Sequence, residues 1–281
     1  MGAAVTAAAR LSLNQRTIPS WSVPEIVDKC AAAGIGAVGL WREPVAEHGL
    51  AETAKLVRDA GIRVSTLCRG GFLTAAEPDA RTTALDDNRR AIDEAATLGT
   101  SELALVVGGL PAGSRDLAGA RQRLAEAIAV LAPEAAAAGV RLDLEALHPM
   151  FCADRSVLTT LDEALDLAAD HPPAAVGVIV DAYHVWWDPG LDAAISRASG
   201  RIGSFQVSDW VLPLPADVLL GRGLMGDGSI DLRAMGRAVD AAGYRGDIEV
   251  EIFNGTLWAA DPDELLTAIV DRFAAHVIDR S

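Results

Sequence analysis

Residues 102–145 decide the fold. The run ELALVV (Glu102 to Val107) is followed by LAGARQRLAEAIAVLAPEAAAA (Leu117 to Ala138) and then by RLDL (Arg141 to Leu144). A short apolar run, a long Ala-rich amphipathic segment and a second short apolar run read as strand, helix and strand. Strands joined through a helix lie parallel, because an antiparallel neighbour needs only a short hairpin. The same alternation extends outward in both directions. Toward the N-terminus, strands are predicted at Leu11 to Leu13, Ala37 to Leu40 and Arg63 to Leu67, with helices at Val23 to Ala33, Ala51 to Ala60 and Leu85 to Leu98. Toward the C-terminus, Gly177 to Val180, Ile202 to Val207 and Asp247 to Ile252 complete eight strands. Helix punctuation agrees: Ser22 and Pro24 open one helix, Gly34 and Gly61 follow two others, and Asp261 with Pro262 opens the last. An open doubly wound sheet would carry a G-x-G-x-x-G turn after its first strand, and none stands there. The expectation is a single-domain α/β fold, a (β/α)8 TIM barrel over residues 1–281, with 221–229 as a long strand-to-helix loop.

Composition bounds the function. The 281-residue chain is 51% hydrophobic, enough for one substantial core. Its formal net charge of -15 repels polyanions, which argues against a nucleic-acid partner and favours a small molecule. Cys30, Cys68 and Cys152 are far apart and odd in number, so neither a disulfide framework nor a zinc cluster is indicated, and a cytoplasmic setting is expected. No signal peptide or membrane span is read, since Ala-rich stretches such as 124–139 are broken by charged residues. The N-terminus fits a myristoylation pattern at Gly2 and Thr6, but a pattern so short carries no weight.

In a barrel the reactive groups sit where strands end. Four late strands end in polar groups: Leu142-Asp-Leu-Glu145, Val178-Ile-Val-Asp181, Ser204-Phe-Gln206 and Glu249-Val-Glu251. A carboxylate at the end of a buried strand is costly to desolvate unless a cation or several donors compensate, so three at one mouth point to a bound metal. Oxygen ligands suit Mg²⁺ or Mn²⁺ more than Zn²⁺. Taken singly, each acid could instead cap the following helix or pair with an arginine; their recurrence at one mouth favours the metal. Asp143 is expected to face away from Glu145, and Asp209 to order the loop after the seventh strand.

Five motifs now bring a family into view: Leu144-Glu-Ala-Leu-His-Pro149, Val180-Asp-Ala-Tyr-His184, Phe205-Gln-Val-Ser-Asp209, Gly226-Asp-Gly-Ser-Ile-Asp231 and Val250-Glu-Ile-Phe253. Their order and separation resemble the xylose isomerase-like sugar isomerases and epimerases over nearly the whole chain. The resemblance implies one divalent metal ion, held by a glutamate after strand five, the aspartate of Asp-x-x-His, a histidine after strand seven and the last-strand glutamate. By position these are Glu145, Asp181, Gln206 and Glu251. Gln206 departs from the family's histidine. Its amide oxygen is a harder, weaker donor than imidazole, so the site should favour Mn²⁺ or Mg²⁺ over Zn²⁺ or Co²⁺, or else bind metal weakly. The resemblance also makes Glu145 and Glu251 the acid–base pair and turns His184 toward the substrate oxygen that gains charge.

Other residues are candidates for holding substrate. Arg222, before Gly226, could clamp a hydroxyl pair, a carboxylate or a phosphate, or could be a solvated loop charge. Trp41, Trp186, Trp187 and Trp210 follow strands, so some should pack on sugar C–H faces while others cap the core. His148 serves either the substrate or the packing of its loop, whereas His48, His171 and His276 have no such context. Trp41-Arg42-Glu43 and Cys68-Arg69 give a weaker signal for the distal part of the substrate. Cys68 has no paired histidine to make it a nucleophile.

The implied chemistry is proton transfer next to a ketose carbonyl through a metal-stabilised enediolate, giving epimerisation or isomerisation. The same first step can expel a β-substituent, as in dehydratases of keto-inositols and lyases of 3-keto-glycosides, and the glutamine at 206 tilts toward such a reaction. Resemblance to members that take glycoside-like substrates adds a homo-oligomer or a small partner subunit as possible assemblies. A non-catalytic sugar-binding barrel is disfavoured by the presence of both glutamates. An endonuclease is disfavoured by an acidic, histidine-poor chain.

Overall fold

Eight parallel strands close into a barrel in the computed structural model, which describes residues 9–278. They are β1 (Leu11–Asn14), β2 (Ala37–Trp41), β3 (Arg63–Gly71), β4 (Glu102–Val106), β5 (Arg141–Glu145), β6 (Val176–Asp181), β7 (Ile202–Val207) and β10 (Ile248–Val250). Each pairs with its predecessor in this order, and β10 pairs with β1 to close the ring. A short antiparallel pair, β8 (Asp209–Trp210) with β9 (Arg222–Gly223), stands outside the barrel within the long loop after β7. All eight expected strands are present, and the main boundary shift is at β3, which runs to Gly71 rather than Leu67.

Helices cover the outside because their apolar stripes match the outward faces of the strands. In Leu117–Ala137 the buried residues include Leu124, Ile128, Leu131 and Ala135, three or four apart on one face. The helix Val23–Ala33 starts at a capping box in which Glu25 accepts from the Ser22 backbone N–H at 2.8 Å, and it ends at Gly34 in the left-handed conformation. The last helix, Pro262–His276, opens on Asp261, whose carboxylate accepts from the Asp263 and Glu264 N–H groups. The helix predicted from Leu85 starts earlier, at Pro78. Among the described residues no helix is long and apolar enough to cross a membrane. The myristoylation pattern at Gly2 and Thr6 lies outside the described residues.

Alternation along the strands places Leu11, Leu13, Leu142, Leu144, Val178, Val180, Phe205 and Val207 in the apolar core. The intervening residues make the barrel interior polar: Ser12, Asn14, Asp143, Glu145, Asp181, Ser204, Gln206 and Glu249 are all buried. Gly39 on β2 leaves room for this, because a Cβ there would fall on the Glu249 carboxylate. Asp143 corrects an expectation. Residues two apart on a strand share a face, so Asp143 points inward like Glu145, one layer deeper, and pairs with Arg141 at 3.0 Å. Burial holds its carboxyl well above the usual range. The loop after β7 is ordered as expected by Asp209, which accepts from the N–H groups of Trp210, Gly226 and Ile230 at 2.8, 2.9 and 3.0 Å. That loop carries Arg222 over the C-terminal mouth.

Candidate metal centre and active site

The four expected ligands stand at or just past the C-terminal ends of four neighbouring strands, β5, β6, β7 and β10. Asp181 on β6 lies opposite Gln206 on β7, which in turn lies opposite Glu249 on β10. Glu145 ends β5 beside β6, and Glu251 immediately follows β10. All are buried. Arg222 joins two of them: Nη1 donates to Asp181 Oδ2 at 3.0 Å, to Glu251 Oε2 at 2.9 Å and to the Glu251 carbonyl at 3.2 Å. Arg222 is therefore no solvated loop charge, and it spends Nη1 on the carboxylates rather than leaving it for substrate.

His184 completes the cluster. Nδ1 accepts from the His148 backbone N–H at 3.2 Å, which places the proton of the neutral ring on Nε2. Nε2 stands 3.1 Å from Arg222 Nη2, 3.8 Å from Asp181 Oδ2 and 3.9 Å from Glu145 Oε1. Burial, with the adjacent Arg222 charge, holds the imidazole well below its usual pKa, so it is neutral. The carboxylates shift the other way. Burial, then the charges of Glu251 and Asp181, raise Glu145 well above the ordinary range. Burial also raises Asp181, against the pull of Arg222, and pushes Glu251 up to about 8.

Glu249, two residues before Glu251 and buried below these groups, was not among the candidates expected from the sequence. Asn14 Nδ2 donates to Glu249 Oε1 at 2.7 Å and to Glu251 Oε1 at 3.0 Å, while Ser65 and Thr66 donate their hydroxyls to Glu249 Oε2 at 2.8 and 2.7 Å. Gln206 Nε2 also donates to Glu249 Oε1, at 3.4 Å. The other end of that amide, Gln206 Oε1, is buried and has no hydrogen-bond partner. The Glu-Val-Glu spacing held the signal for Glu249, since period two puts both glutamates on one face.

These residues fit a divalent cation. Three buried carboxyl groups share the single guanidinium of Arg222, so in their ionised form they would leave negative charge for a cation to offset, and a buried amide oxygen is without a donor. Glu145, Asp181 and His184 each offer a ligand atom within 4.8 Å of the others. A second such group, Cys68 with Glu249 and Glu251, is a poorer holder because the Glu249 oxygens already accept from four side chains. Burial, with the charges of Glu251 and Glu249, also raises the Cys68 thiol well above its usual pKa, which keeps it protonated and unreactive.

Above the carboxylates opens a cavity of about 280 Å³, lined by Trp41, Leu147, Phe253 and Trp258 beside Glu145, His184 and Glu251. Trp41 reaches it as expected, with its indole N–H given to Asn14 Oδ1 at 2.9 Å. Trp186, Trp210 and His148 are not on its wall. Trp210 stacks on Tyr183 with ring centres 4.8 Å apart, and Trp186 and His148 pack against Trp210 at 5.6 and 5.2 Å. Trp187 gives its N–H to the His184 carbonyl at 2.8 Å, supporting the histidine from behind. Arg42 is committed to Asp87 and Glu94 and so is removed from substrate recognition.

Two expected results follow from this geometry. Glu249→Met should weaken Mn²⁺ binding about 10–100-fold, because the amide of Gln206 loses the acceptor that orients it. A double-mutant cycle with Gln206→Ala, read by Mn²⁺ titration, checks this: the Glu249→Met effect should shrink when residue 206 has no amide. The second result concerns pH. Glu251, at about 8, is protonated in the folded metal-free chain where an unfolded carboxyl is not, so its contribution to stability is full below about 4.5 and is lost as pH rises through 8. Mn²⁺ must displace that proton, so affinity should rise by up to about tenfold per pH unit toward pH 8 and then level off. Calorimetry in buffers of different ionisation enthalpy would read the released proton, and a flat profile would contradict the assignment.

Comparison with known proteins agrees with the architecture. The model of the xylose isomerase-like TIM barrel family matches residues 27–273. A solved protein of Sinorhizobium meliloti 1021 superposes with a TM-score of 0.94 at 45% identity, covering 96% of this chain and 99% of that one. A 3-dehydroshikimate dehydratase of Pseudomonas putida is 29% identical over 250 residues, which are 86% of this chain but 38% of that protein. An L-ribulose 3-epimerase of Mesorhizobium japonicum is 30% identical over 138 residues, 48% of this chain and 41% of that protein. The chain thus spans about two fifths of the length of the curated dehydratase that it matches. With this match over most of its length and the closed eight-stranded barrel, the chain belongs to the xylose isomerase-like TIM barrel family.

Proposed function

We propose that the chain is a divalent-metal-dependent enzyme that removes a proton from the carbon beside a carbonyl of a small sugar-derived substrate. The observation that carries this reading is the pair Glu145 and Glu251, two buried carboxyl groups raised toward neutrality on the wall of one cavity. A carboxylate so placed is a stronger base than one in water, and its acid form can return the proton. Held by Glu145, Asp181, Gln206 and Glu251, an Mn²⁺ or Mg²⁺ ion would polarise the carbonyl and offset the negative charge that develops on it. His184 Nε2 and Arg222 Nη2, 3.1 Å apart, are two donors that one substrate oxygen could satisfy together. Asn14 fixes the Glu251 carboxylate, and Trp41, Leu147 and Phe253 limit water around it.

The fate of the carbanion decides the outcome. Expulsion of a hydroxyl from the next carbon, with an acid group supplying its proton, is dehydration; return of a proton to the opposite face is epimerisation. Dehydration is favoured by the likeness to a dehydratase, which extends over most of the chain, whereas the likeness to the epimerase covers about half. Epimerisation is the second reading, supported by two acid–base carboxylates on different strands. Three free cysteines suit a reducing compartment such as the cytoplasm.

The test is to incubate the Mn²⁺-loaded chain in D₂O with ketoses, inososes, 3-keto-glycosides and 3-dehydroshikimate, and to follow each by NMR. Exchange with loss of water or of another leaving group is expected. Exchange without loss would transfer the reading to epimerase. No exchange across the panel, with Mn²⁺ bound, would overturn proton abstraction for these substrates.

A further inference from the structure

The outer wall of the cavity carries the opposite charge from its floor. Arg16, Arg69 and Arg155 line it, with Glu43 the acidic residue among them. Arg222 below has Asp181 and Glu251 as ion-pair partners within 3.0 Å, whereas the outer arginines have no acidic partner that close. Arg155 has Asp154 at 3.7 Å, and Arg16 has Glu43 at 3.7 Å, both beyond hydrogen-bond distance. Arg69 makes no side-chain hydrogen bond or ion pair among the described residues. Its guanidinium is half-buried over the Phe72 ring, 4.4 Å from the ring centre, and 6.0 Å from that of Trp41. A guanidinium stacked by its face keeps its edge N–H groups free for a planar, two-oxygen acceptor. Burial acts against its charged form, the charge of Glu43 offsets part of this, and the neighbouring charge of Arg155 adds a smaller opposing effect. In a protein of net charge -15, two incompletely paired guanidiniums facing one cavity are a local reversal of sign that an anion would relieve.

We propose that Arg69 and Arg155 form a carboxylate subsite, so that the substrate is a compact keto acid with its carboxylate on this wall and its carbonyl end at Glu145 and Glu251. This rests on the proton-abstracting reading above and adds the substrate class to it. A carboxylate fits better than a phosphate ester because 280 Å³ lies at the small end for a ligand pocket, leaving little room for a phosphorylated sugar. The aromatic rings of Trp41 and Phe253 would hold the flat or puckered carbon skeleton between the two ends.

Calorimetric titration of the full Mg²⁺-loaded chain with benzoate, benzamide and inorganic phosphate tests the subsite without requiring turnover. Saturable benzoate binding is expected, with benzamide about 30-fold weaker or worse, and a similar loss of benzoate affinity in Arg69→Met and Arg155→Met. Thermal melts of both variants verify the fold, and either variant suffices. Absence of benzoate binding to the wild type, benzoate binding unchanged in both variants, or tighter binding of phosphate than of benzoate would overturn the proposal. The two claims fail separately. Exchange of neutral ketoses without benzoate binding removes the subsite and leaves the reaction; benzoate binding without exchange of any panel member removes the reaction and leaves the anion site.

Discussion

Glu251→Gln is expected to lower solvent exchange of the substrate's α-proton by about 10²–10⁴-fold while the chain stays folded. The size follows from what the residue does in the structure. Its carboxyl is buried, receives Asn14 on one oxygen and Arg222 on the other, and is pushed up to about 8 by desolvation. Glutamine keeps the shape and accepts one of these hydrogen bonds through its oxygen, but it neither takes nor returns a proton. The loss should fall on kcat more than on substrate binding, because the carboxylate Arg69 and Arg155 would hold lies away from this residue. Single-turnover deuterium exchange by NMR, with circular dichroism to verify the fold, separates a lost base from a lost fold. A variant with undiminished exchange would remove Glu251 from the acid–base pair.

Arg222→Met should be the most destabilising single change near the site, costing about 3–5 kcal/mol in the metal-free chain. Arg222 is buried, and its charged form is favoured because Asp181 and Glu251 outweigh the penalty of its burial. Methionine fills similar space but leaves two carboxylates in the interior without their cation. They would respond by binding protons, so their folded pKa values rise further above the unfolded ones. The sign is then fixed: the loss is small at acid pH, where the groups are protonated in both chains, and grows as pH rises through their folded pKa values in the wild type, which for Glu251 is about 8. Mn²⁺ should restore part of the stability by replacing the missing positive charge. Denaturant unfolding at pH 5.5 and pH 8, with and without Mn²⁺, reads all three trends. Equal destabilisation at both pH values would mean that Arg222 acts through packing.

The barrel was legible because strand and helix periods alternate without interruption from Leu11 to Phe273, and because caps such as Ser22 and Asp261 are local in sequence. Glu145 and Asp181 were legible as anomalies, carboxylates ending otherwise apolar runs. Gln206 could be placed but not understood, since its readiness to offer an oxygen depends on Glu249, a neighbour across strands far away in sequence. Asp143 was misplaced by misapplying the two-residue period that also would have found Glu249. Position after a strand told which end Trp186 and Trp210 occupy but not which way their rings turn; packing on Tyr183 decides that. The pairing of Arg69 with Arg155 was out of reach, because it arises from the end of β3 meeting the loop after β5. The start of Pro78–Leu98 was also hidden, since its first turns are mostly exposed and carry little apolar periodicity.

The proposed reaction requires one divalent ion at the strand ends. Electron paramagnetic resonance titration of the full chain with Mn²⁺ at pH 7.5 tests it most directly, with Asp181→Asn as the control because the proposal gives that carboxylate a place in holding the ion and none in proton transfer. One Mn²⁺ per chain in the wild type, with affinity lost in a folded Asp181→Asn, is the predicted result. Absence of saturable binding in the wild type, or unchanged binding in the variant, would contradict it.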